Sequence, residues 1–130
     1  MPIASTDIQL RLSGGASNAV QGASLGGVKS SNLAAASIFD DVSAAESSAG
    51  DVEVRCIYVH NAHATLTLQN AVAWFPANTP STSTVVELGV GTSAVNGTEQ
   101  TVTDENTAPS GVTFVAGATK AAGVALGDIP

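Results

Sequence analysis

His60-Asn61-Ala62-His63 sets two imidazoles three residues apart, a spacing at which a turning chain lets both reach one metal ion. Zinc needs three or four ligands, and Cys56, four residues before His60, shares its face only if the strand between them stays regular. Closure of a hairpin by polar residues is the simpler role for these histidines. Asp40-Asp41 and Asp51 with Glu53 supply oxygens that a folded-back loop could gather around calcium, yet their spacing matches no known calcium loop. Acidic caps at helix and strand ends explain them as well. Nucleophilic catalysis needs a Ser or Cys with a positioned His and a third orienting group. Serines are plentiful, but no nucleophile elbow is expected, and Cys56 between Arg55 and Ile57 reads as an inert strand thiol. The Gly-rich stretches 13–15 and 22–27 lack the Lys-Ser/Thr that completes a phosphate loop. No catalytic residue, cofactor site or metal site is therefore expected.

The elements that would carry these groups are strands. Ile8, Leu10 and Leu12 alternate with polar residues at a period of two, which predicts a half-buried strand over 8–12. Residues 13–32 are Gly, Ser, Ala and Asn around Leu25 and Val28, an extended loop punctuated by Gly14-Gly15 and Gly26-Gly27. Ile38 and Phe39 read as core anchors. Ser43-Ala44-Ala45-Glu46 fits a capping box that opens a helix of one or two turns ended by Gly50. A long strand is predicted over 51–61, with Val52, Val54, Cys56 and Tyr58 on one face, and residues 65–75 read as its antiparallel partner, broken by Pro76 and Pro80. Strands follow at 85–90, 98–102 and 112–115. Asn96-Gly97 predicts a type I′ hairpin between the first two of these. Residues 116–129 show small residues with Leu126, and the chain ends abruptly for an open sheet.

About seven short strands with almost no helical period predict an all-β fold: a single-domain antiparallel β-sandwich of the jelly-roll or immunoglobulin-like kind. Its expected parts are an extended N-terminal segment, 1–32, carrying the first strand, and a sandwich domain, 33–130. The length of 130 residues suits one domain.

Eleven carboxylates against four cations give a net charge of −7, which repels phosphate backbones and argues against nucleic acid as a partner. One cysteine excludes an internal disulfide. Met1-Pro2-Ile3-Ala4 does not open a signal peptide, and no apolar run approaches the ~20 residues of a spanning helix, so neither export nor membrane insertion is expected. Charged residues make up only 12% of the chain, half the usual share, as in proteins that pack against neighbours. Ser, Thr and Asn supplying the polarity instead is the competing explanation. Trp74-Phe75 is the largest aromatic feature. It serves either as an interface anchor or, more ordinarily, as core filling. Ile8, Leu10 and Leu12 are the other candidate interface residues.

The stretch Asp51-Val52-Glu53-Val54-Arg55-Cys56-Ile57-Tyr58-Val59-His60-Asn61, followed by Leu66-Thr67-Leu68-Gln69-Asn70-Ala71 and Trp74, resembles a group of small structural proteins of tailed-phage virions. Glu99-Gln100-Thr101-Val102, residues 105–112 and residues 121–130 add to the resemblance, which covers most of residues 8–130. Its motifs are structural, and it implies a further apolar, Arg-containing strand beyond Gly127-Asp128-Ile129-Pro130. It implies a virion role without chemistry, foremost a capsid decoration or cement protein. Such a protein forms a dimer or trimer on the outer surface of the capsid and bridges major capsid subunits, with no membrane partner. A tail, baseplate or fibre component and a carbohydrate-binding module are the alternatives.

Overall fold

Ser43 closes its capping box as the sequence predicts. Its Oγ accepts from the Glu46 amide at 3.2 Å and its own amide donates to Glu46 Oε2 at 2.6 Å, opening helix α1, Ala44–Ala49. Gly50 ends the helix in the left-handed conformation, φ 74°, and donates its amide to the Glu46 carbonyl. This computed structural model describes residues 1–35, 37–77 and 84–130. The strand break expected at Pro80 lies outside them. Strand, at 24%, outweighs helix, at 10%, and the strands form two small antiparallel sheets, so the fold is β-rich.

The first sheet pairs β1, Ile8–Leu12, with β2, Ile57–Asn61, in the register Ile8 to Asn61, Leu10 to Val59 and Leu12 to Ile57. Opposed residues share a face. Residues 32–34 extend the sheet beyond β1, where the amides of Leu12 and Ala34 donate to the carbonyls of Asn32 and Leu10. The second sheet pairs β3, Leu68–Ala73, with β4, Val124–Ile129. One predicted pairing and the reading of the chain's end are thereby corrected. The partner of β2 is β1, and the end of the chain is a strand of its own that takes β3. The ladder between β3 and β4 shifts register twice, with Asn70 at φ 51° and Gly127 at φ 74°. Asp128 Oδ1 accepts the Asn70 amide at 2.8 Å across this irregularity.

Other predicted strands are shorter than their patterns. Residues 51–55 run into β2 outside its ladder, with the Val54 amide donating to the Glu105 carbonyl. Residues 85–90 and 112–115 are joined by a bridge between Leu88 and Val115, and residues 98–102 contribute Thr101 to a bridge with Gly26. The hairpin at Asn96-Gly97 is a single turn closed from the Gly97 amide to the Ala94 carbonyl, centred on Val95 and Asn96. Asn96 takes positive φ, and Gly97 does not join it as a type I′ turn requires.

The core is small and unusually polar. Leu12, Val54, Val102 and Ile129 are its buried apolar residues among those described, alongside Ser13, Ser24, Ser30 and Asn61. Ser13 and Ser24 both donate their hydroxyl proton to the Cys56 carbonyl at 2.6 Å, and their oxygens accept the amides of Gly26 and Ser13 respectively. Each hydroxyl has one proton to give, so this arrangement satisfies every group without a bond between the two serines. Gly26, at φ 85°, approaches Gln100 so closely that a Cβ would collide with its carbonyl oxygen. Residues 24–27 are thus held between Cys56 and residues 100–102. The N-terminal segment, expected as an extended loop, supplies most of the fully buried side chains. Asn61 joins the two sheets, donating from Nδ2 to the carbonyls of Leu66 at 2.7 Å and Ile129 at 3.0 Å.

Candidate functional site

Arg55 follows the buried Val54, which fixes where its side chain enters the protein. The side chain is only 4% exposed, and its guanidinium lies 5.5 Å from the centre of the Phe39 ring. Its Nη2 sits 3.5 Å from Glu53 and from Glu105 and 3.9 Å from Asp40, while Nη1 donates to the Val54 carbonyl. Nε is buried with no hydrogen-bond partner among the described residues. Three carboxylates from three segments therefore crowd one cation. Burial raises the Glu53 carboxyl above the ordinary range, and Asp40, through a hydrogen bond and its charge, and Glu105 push the same way against the opposing pull of Arg55. Phe39, expected as a core anchor, is an exposed plate under Arg55 instead.

Glu46, Asp51 and Glu53 bring carboxylate oxygens within 4.8 Å of one another, and Asn106 Nδ2 donates to Asp51 at 3.1 Å. These are hard oxygen donors of the kind calcium uses, but three carboxylates fall short of its six to eight ligands. Glu46 already serves α1 as its cap. A shallow depression of about 290 Å³ is lined by Arg55, Phe39 and Asp40, and another of about 410 Å³ by Glu46, Asp51, Glu53 and Asn106. Asp40, Asp51 and Glu53 were legible as candidates. Arg55, Glu105 and Asn106 were not, because 50 residues of chain separate the two halves.

The histidines do not converge on a metal. His60 Nδ1 lies 2.8 Å from the Lys29 ammonium, which donates to it, so His60 is neutral there. Its pKa is held down by partial burial and by the charges of Lys29 and Arg11. His63 Nδ1 accepts the amides of Thr65 and Leu66, leaving Nε2–H to donate to the Met1 carbonyl. Cys56 is half-buried and its thiol is pushed up by burial. Gly22-Ala23-Ser24-Leu25-Gly26 does match the Gly-x-Ser-x-Gly spacing, which corrects the expectation of no such pattern. The segment holds a 3-10 turn, Gln21–Ala23, and Ser24 is fully buried and bonded to Cys56, where no substrate reaches it.

The candidate interface residues divide. Ile8 and Leu10 are 41% and 48% exposed on β1, with Ile57 of β2 exposed on the same face, whereas Leu12 is fully buried and leaves the set. Trp74, 39% exposed just after β3, belongs to the other sheet, with Phe75 half-buried beside it. Trp74 is therefore not core filling. The whole chain exposes 8214 Å², about 1,900 Å² more than the ~6,300 Å² expected of a monomeric globular protein of its mass. Much of the surface is apolar, including Val20, Val28, Leu33, Val42, Val52 and Val85. No family model matches the chain, and no curated protein or solved structure matches it either.

Proposed function

We propose that this chain is a non-catalytic structural protein of a tailed-phage virion, a decoration or cement protein that binds the outside of the capsid and bridges major capsid subunits. Its two antiparallel sheets are taken, in this proposal, as the halves of a jelly-roll-like sandwich. The observation that carries the proposal is the surplus surface of the single chain. About 1,900 Å² beyond the expected value is the order of area that a specific protein interface buries, and large apolar side chains lie on it. A repeated capsid lattice would cover this surface at many equivalent positions, where modest contacts add through multivalency. The polar core fits the same role, since a chain that buries few apolar side chains by itself gains its remaining burial in the assembly.

The test is to mix the purified protein with bare phage heads and look for added density by electron microscopy. Density between capsomers is the expected result. Heads that stay bare would move the protein to the tail, baseplate or fibre. The exposed Trp74 favours one further reading, a carbohydrate platform, although the Tyr58 hydroxyl that would join it is bonded to the Gly27 carbonyl at 2.7 Å. Specific glycan binding lost in Trp74→Ala would support that module and count against the cement role.

A further inference from the structure

Arg11, Lys29 and His60 gather on the sheet face opposite Ile8 and Leu10, in a chain that carries only four Lys and Arg residues. Arg11 lies across from Tyr58 and holds its guanidinium against Gln9 Oε1 at 2.9 and 3.1 Å, while Lys29 reaches His60 from the segment crossing that face. Neither cation has a carboxylate within salt-bridge distance among the described residues. The charge of Glu99 acts on this face through Tyr58. Two like charges beside a third basic group, with no acid between them, destabilise a surface unless something anionic covers it.

The same chain carries the opposite imbalance around Arg55, where Asp40, Glu53 and Glu105 share one guanidinium and Glu46 and Asp51 cluster with Glu53. Arg55 and His60 are five residues apart, up to ~16 Å in extended chain. At that full extension the separation is about twice the screening length at physiological salt, a distance at which two poles do little to neutralise each other. Each pole also has exposed apolar side chains beside it, Val28 and Leu33 at the basic one and Phe39 and Val52 at the acidic one.

We propose that the basic face of one copy docks on the acidic cluster around Arg55 of a second copy. This contact relieves both imbalances at once and covers apolar surface on each side, and repeated around an axis it closes a ring. The inference rests on the reading of the chain as an assembly part, but its test needs no capsid.

The test is sedimentation velocity of the full chain at about 50 mM and about 500 mM salt, a range over which the screening length shrinks about threefold. The wild type is expected to self-associate at low salt and to weaken at least ~10-fold at high salt. Arg11→Glu/Lys29→Glu and Asp40→Lys/Asp51→Lys should each be monomeric, with association weakened at least ~100-fold. An equal mixture of the two should recover a complex, because the basic face left intact in the acidic-cluster variant meets the acidic cluster left intact in the basic-face variant. Circular dichroism reports whether each variant is folded, and the single substitutions Lys29→Glu and Asp40→Lys serve if a double one is not. A wild type that is monomeric at low salt, a basic-face variant that associates like the wild type, or a mixture that stays monomeric would overturn the proposal. Head binding by a monomeric wild type would overturn it while leaving the cement reading intact, and a ring that ignores heads would do the reverse.

Discussion

Glu53 shows how a single residue balances opposed effects. Arg55 at 3.5 Å favours its charged form, but burial with Asp40 and Glu105 outweighs that pull and raises its pKa. A folded carboxyl that keeps its proton to higher pH than the unfolded one costs stability when ionised, and the cost is relieved as pH falls through the folded value. Glu53→Gln is therefore expected to stabilise the protein at pH 7 by about 0.5 kcal/mol, a modest figure because the side chain is partly solvated. The gain should vanish below about pH 4, where the unfolded carboxyl is also protonated. Urea unfolding across this range checks both the sign and the window. Ser13 poses the complementary case. Its Oγ accepts the Gly26 amide at 2.8 Å inside the protein, so Ser13→Ala leaves a buried donor unpaired. A loss of about 1–3 kcal/mol in thermal or urea unfolding is expected. Neither role was visible beforehand, because Ser13 meets Cys56 across 43 residues of chain and Glu53 meets Glu105 at Arg55 across 52.

Among the elements, local signals succeeded where the local chain supplies both partners. The capping box at Ser43 and Glu46 and the alternation of Ile8, Leu10 and Leu12 are of this kind, and α1 and β1 form as predicted. Strand β4 was missed because its residues do not alternate. Gly127 at positive φ and the register shifts opposite Asn70 break the period of two that marks a strand. The packing of this pair can be tested at Gly123, just before β4, where a Cβ would stand 2.6 Å from the Ala73 oxygen and 2.9 Å from Val72 Cγ1. Gly123→Ala should lower stability by about 1–3 kcal/mol. Gly22→Ala, whose new Cβ meets nothing within 4 Å, is the control expected to change little in the same thermal melt.

At the scale of the whole molecule, the N-terminal segment is interior structure. Among the described residues, Leu12, Ser13, Ser24 and Ser30 are the largest fully buried side chains, and β1 is the ladder partner of β2. A deletion of residues 1–30 is expected to abolish cooperative unfolding, read by circular dichroism, whereas a detachable arm would leave the melt intact. The exposed apolar residues should behave oppositely. Leu10→Asp and Trp74→Asp are expected to shift monomer stability by about 1 kcal/mol or less, since both side chains are well exposed. Each should reduce binding to bare heads in a pull-down with purified capsids if its surface is covered in the assembly. Unchanged binding by both would remove these two patches from the interface.

Composition and period alone determined that this chain is acidic, poor in charge, dominated by short strands and started on a strand at Ile8. Those properties depend on residue type and on neighbours two to four positions away, which the linear chain displays directly. Tertiary structure alone decided that β1 rather than residues 65–75 pairs with β2, and that serines form much of the core. It also decided that Arg55 collects carboxylates from three segments, and that two basic side chains and a histidine meet without an acid among them. Each of these joins residues tens of positions apart, where backbone geometry and burial choose the partner and residue type by itself carries no address.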